Sequence, residues 1–122
     1  MSDFHTCVSA GFAELATVRH SLSAWLERAG VADPPRADVV LATHEAAANA
    51  VEHSSSVTPV VISARVADGM IVVQVNDKGH WKTPEANEER GRGLAMIAAL
   101  VSEVSVESDR EGNTVRLVHN NA

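Results

Sequence analysis

Three short stretches hold the residues whose types and spacing suit chemistry. The first, LATHEAAANAVEHS, sets Glu45, Asn49, Glu52 and His53 among small apolar residues. At about 100° per residue on a helix, Glu45, Asn49 and Glu52 fall within a stripe roughly 60° wide, with His53 at its margin. Polar groups on one stripe call for a common partner, and Ala42, Ala46, Ala48 and Ala50 leave room beside them for something bulkier than a side chain. An amphipathic helix that shows this stripe to water is the competing reading. A zinc site is excluded by spacing: His44 and Glu45 open an HExxH pattern whose second histidine would stand at Ala48.

The second stretch, VNDKGHW, ends an apolar run at Asp77 and places Gly79 two residues later. Such an aspartate can accept a hydrogen bond from an exocyclic amine while the bare glycine backbone lets a flat ring approach, although Asp-x-Gly also marks ordinary turns. The third stretch, RGRGLAM, puts Gly91 and Gly93 directly before an apolar helical run, flanked by Arg90 and Arg92. Glycines that open a helix expose unpaired amides at its positive end, which is an anion site. It is not a P-loop, because GxxxxGK[ST] occurs nowhere.

The elements that must position these residues are legible from periodicity. After a short strand at His5–Ala10, residues Phe12–Ala29 carry Leu15, Val18, Leu22, Trp25, Leu26 and Ala29 at helical spacing, and Gly30 ends the run. Asp33, followed by Pro34 and Pro35, caps a second helix that continues to about His53. Val60–Ala67 and Met70–Asn76 are strands joined by Asp68 and Gly69, a two-residue hairpin signal. Asp77–Gly93 reads as a polar loop, Leu94–Val101 as a helix, and Val104–Ser108 with Thr114–Val118 as a last hairpin. This order fits a two-layer α/β sandwich, with a mixed, mostly antiparallel sheet and the helices on one face. Trp25 is assigned to the core, and Cys7, the only cysteine, is expected as a small buried hydrophobe in the first strand.

A chain of 122 residues with 45% hydrophobic and 21% charged composition supports one core and is read as a single domain, residues 1–122. Ten Lys and Arg against sixteen Asp and Glu give a net charge of −6 without a basic cluster, which argues against nucleic acid as a partner. No apolar run approaches the roughly 20 residues that span a bilayer, and the first ten residues lack a secretory pattern, so no membrane association and a cytoplasmic location are expected.

Taken together, the three stretches resemble the Bergerat ATP-binding superfamily, which includes gyrase, MutL, heat-shock chaperones and the catalytic domain of histidine kinases. Its N box is matched by Glu45, Asn49, Ala50 and His53, its first glycine box by Asp77 and Gly79, and its second by Gly91, Arg92, Gly93 and Leu94. GNTVRL, Gly112–Leu117, looks like the closing Gly-x-Thr strand. One departure stands out: His80 and Trp81 follow Gly79, so the second glycine of the first box is missing.

More narrowly, the chain resembles the anti-sigma serine kinases of bacterial stress and sporulation switches, which are free-standing domains of about this length. The resemblance implies ATP and Mg²⁺ as cofactors, with Asn49 as the Mg²⁺ ligand and Glu45 as the general base toward a serine hydroxyl. It implies that Asp77, supported by Thr114, holds adenine, and that Gly79 lets the ring approach. Gly91, Arg92 and Gly93 would cradle the phosphates, and Arg90, Leu94 and His53 would join the nucleotide-binding set, although a histidine ending an apolar helix is by itself a packing residue. Residues His80–Arg90 would form a lid, with Trp81 as lid anchor or adenine neighbour. Implied partners are an anti-anti-sigma (STAS) protein and a sigma factor, with a homodimer also implied. The alternative is an ATP-binding interaction module that transfers no phosphate.

Overall fold

Alternating burial along the strands sorts this chain into a covered and an open sheet face. The structure, a computed structural model, describes residues 3–9, 11–53, 59–78, 93–110 and 112–121. Its elements run β1 (Phe4–Val8), α1 (Ala13–Arg28), α2 (Pro35–His53), β2 (Val60–Ala67), β3 (Met70–Asp77), helical residues 93–100 (α3), β4 (Glu103–Asp109) and β5 (Gly112–Asn120). The strands form one sheet of order β1-β2-β3-β5-β4. Every described pairing is antiparallel, so the expected mixed character is not seen among them.

In β3, Ile71, Val73, Val75 and Asp77 are buried while the residues between them are half-buried, the alternation of a sheet covered on one side. The buried set joins Leu15, Leu22 and Leu26 of α1, Val39, Ala42, Ala46, Ala47 and Ala50 of α2, and Ile97 of α3 in one core. All three helices therefore lie on the same face. Each fully buried leucine or isoleucine contributes roughly 2 kcal/mol by removal from water. Trp25 is buried as expected and meets Phe4 at 5.9 Å between ring centroids.

Cys7 departs from its expected burial. Phe4 packs against the helices and Val8 is buried among them, so alternation turns His5 and Cys7 to the uncovered face, and the thiol is free and exposed. The turn signals hold: Asp68 and Gly69 both take positive φ, 54° and 75°, as a tight hairpin requires. The carboxylate of Asp33 accepts the Ala37 N–H at 3.2 Å and opens α2.

Two contacts fix the direction of α2 and α3 over the sheet. Asp38, in the first turn of α2, stands 3.9 Å from His119, whose register partner is Ile71 at the start of β3. Helix α2 packs on β3 and β5, and Asp38 to Asn49 rises about 16 Å, close to the roughly 20 Å from Ile71 to Asp77. Asn49 thus overlies the Asp77 end of the sheet. Helix α3 starts at that same end, because Gly93 abuts Asn49. It finishes at the other end, where the backbone N–H of Ser102 donates to His119 Nδ1 at 3.1 Å.

Candidate nucleotide site

At the Asp77 end, close approach replaces side-chain packing. A Cβ added to Gly93 would overlap Asn49 Nδ2 and lie 3.2 Å from its Cγ, so glycine lets the start of α3 rest against that amide without displacing it. The resulting cradle sets a hard oxygen ligand beside the amino end of a helix, a combination suited to a cation and the anion it neutralises. Glu45 shares the helical stripe of Asp38, which neighbours His119, and of Asn49, which meets the start of α3, and it is half-buried one turn before Asn49. The opposite flank of α2 meets α1, where Arg19 lies 3.0 Å from His44 Nδ1. Burial holds the His44 imidazole below its ordinary pKa, Arg19 adds to the depression, and Glu45 opposes it. His44 is thus held toward its neutral form, and it takes no part in the stripe.

Asp77 is only 4% exposed and accepts a hydrogen bond at 3.1 Å from Asn113, itself 7% exposed. Asn76, Asp77, Lys78, Asp109, Gly112, Asn113 and Thr114 line a cavity of about 170 Å³ at this sheet end. Thr114 lines the same cavity as Asp77, and its hydroxyl donates to Asn76 at 2.6 Å. The physical reason is register. Asn113 is the residue opposite Asp77, and Thr114 is opposite Asn76, on the open face. The sequence does not single out Asn113 or Ser108 as site residues, and Gly112 enters there only as the start of the closing Gly-x-Thr strand. The signal that would have found them is the pairing of Gly112–Leu117 with the strand that ends in Asp77.

Gly112 has φ +138°, and a Cβ there would collide with the Asp77 carbonyl and come within 2.8 Å of its carbon. Leu94 is half-buried and packs against the core. Among the candidate residues, then, Glu45, Asn49, Asp77, Gly93 and Leu94 gather around one end of the sandwich. His53 closes α2, its side chain outside the described residues, where Gly79, Arg90, Gly91, Arg92 and the lid at His80–Arg90 also lie. Among the described residues no group of three or more His, Cys, Asp or Glu could hold a metal, and no helix is long and apolar enough to cross a membrane.

Residues 8–119 match the histidine kinase-like ATPase domain family. The chain belongs to that family. This histidine kinase-like ATPase domain superposes on a structure of the RsbU and RsbW domains of Rv1364c from Mycobacterium tuberculosis with a TM-score of 0.84 and 34% identity. The match covers 98% of the present chain and 32% of that one, so the domain spans about a third of its relative's length. The fold is also shared with a chain of the SiaB-SiaC complex from Pseudomonas aeruginosa, at TM-score 0.68 and 16% identity, over 94% and 88% of the two chains.

Proposed function

We propose that this ATPase domain is a serine kinase that phosphorylates an anti-anti-sigma (STAS) protein and, in exchange, holds a sigma factor. The observation that carries the reading is the bare contact of Gly93 with Asn49, which brings the start of α3 to the one amide on the Glu45 stripe. The sequence likeness to anti-sigma serine kinases and to a chain containing an RsbW domain supports the regulatory setting.

In this reading Asn49 would hold Mg²⁺ through its amide oxygen, a hard ligand suited to a hard ion, and the bound ion would supply neutralisation of phosphate charge. Asp77 accepts from the exocyclic amine of adenine. Glu45 takes the proton of the serine hydroxyl as that oxygen bonds to the terminal phosphorus, with ADP as the leaving group. Phosphoryl transfer depends mainly on positioning and charge, which a domain of this size can supply.

The test begins with a nucleotide titration with and without Mg²⁺. Tight, Mg²⁺-dependent binding that Asp77→Asn abolishes is expected, and binding that survives this substitution removes Asp77 from the base pocket. Labelled ATP mixed with a candidate STAS protein should then label its serine. Label transferred unchanged by Glu45→Gln would remove Glu45 as the base. Nucleotide binding without any transfer would favour a regulator that binds ATP and partner alone.

A further inference from the structure

Ser108, Asn113 and Asp77 form one cross-strand row. Asn113 is the register partner of Asp77 on β3 and of Ser108 on β4, so the three side chains stand on the same face of the sheet, with Asp77 and Asn113 buried and Ser108 exposed on the edge strand. The direction of their hydrogen bonds follows from chemistry. An ionised carboxylate only accepts, so Asn113 must turn its NH₂ to Asp77 Oδ1, at 3.1 Å. Its amide oxygen then faces Ser108, whose hydroxyl must donate to it, at 2.6 Å. The carboxylate thereby selects the amide orientation, the serine hydroxyl anchors the amide there, and the anchored amide holds the rotation of the carboxylate. Asp77 and Asn113 are both buried, where a misdirected polar group is costly. Gly112 adds a further constraint, since its bare backbone rests on the Asp77 main chain.

We infer that Ser108 and Asn113 are positioning residues for base selection: they hold the Asp77 carboxylate in the orientation that reads a 6-aminopurine and rejects a 6-oxopurine. This rests on the nucleotide-binding function proposed above. A 6-amino group donates to the carboxylate. A 6-oxo group sets its lone pairs against those of the carboxylate, so acceptor meets acceptor. A carboxylate released to rotate can turn toward water and loses that preference.

The experiment measures ADP and inosine diphosphate, which differ at the 6-position of the base and in the proton that its oxo form carries on N1, by competition against a fluorescent ADP analogue. Wild type should prefer ADP strongly. Ser108→Ala should narrow the ADP-to-inosine-diphosphate ratio about five-fold, the worth of one neutral hydrogen bond. Ser108→Thr, which restores a hydroxyl, should return the ratio to that of the wild type. In an Asn113→Ala background, Ser108→Ala should add nothing, because the path runs through the amide. An unchanged ratio in Ser108→Ala overturns the inference, even where both affinities or the melting temperature fall, since the row would then be structural only. If wild type binds ADP through Asp77 and Ser108→Ala keeps its selectivity, the positioning role alone falls. If wild type binds no adenine nucleotide, the parent reading falls with it.

Discussion

The two ends of the β3–β5 pair are built by opposite means. Where Ile71 faces His119, side chains tie the layers together: His119 accepts from the Ser102 backbone and hydroxyl, the Asn120 N–H donates to the same hydroxyl, and Asp38 of α2 stands beside the ring. Where Asp77 faces Asn113, the layers meet through missing side chains. Gly93 brings α3 onto Asn49, and Gly112 brings β5 onto the Asp77 backbone. Protein interiors otherwise fill to crystal-like density. A domain that must admit a ligand therefore keeps one end sparse and anchors the same strands and helices at the other.

Filling the sparse end should do the most damage. Gly112→Ala forces a Cβ into the Asp77 carbonyl at a φ of +138°, and a loss of about 3 kcal/mol in unfolding free energy is expected from strain and overpacking together. Urea denaturation checks it, and an undiminished midpoint would show that β3 and β5 separate at no cost. Gly93→Ala comes next. Its Cβ displaces the Asn49 amide, and ADP affinity should drop roughly ten-fold in calorimetry with a smaller change in stability. Unchanged affinity would mean that the Asn49 contact lies outside the cradle.

The tied end should respond in the reverse sense. His119→Ala removes the acceptor of the Ser102 N–H and should lower stability by about 1 kcal/mol. ADP affinity should hold within about two-fold, because well-separated sites act independently. A larger loss of affinity than of stability would show that the anchor controls the cradle, and the contrast between the ends would need redrawing.

Much of the scaffold was legible locally. Asp33 before two prolines opened α2, Asp68-Gly69 closed a hairpin, and the spacing of Leu15, Leu22 and Leu26 drew the buried face of α1. One reading failed: Cys7 is expected to be buried, but faces alternate at every residue of a strand, and β1 turns its side chain to the uncovered side. Gly93 was read for its exposed amides, and its contact with Asn49 joins positions far apart in the chain.

By itself the sequence determined the element order, the helical stripe of Glu45 and Asn49, and the two-layer class, since each follows from propensity and periodicity over a few neighbouring residues. Only the tertiary structure decided that Asn113 is the residue paired with Asp77, that Ser108 donates to its amide oxygen, and that Gly93 closes on Asn49. Those choices depend on strand register and on which way α2 and α3 lie over the sheet. Both are properties of pairing between distant segments, which local residue spacing does not encode.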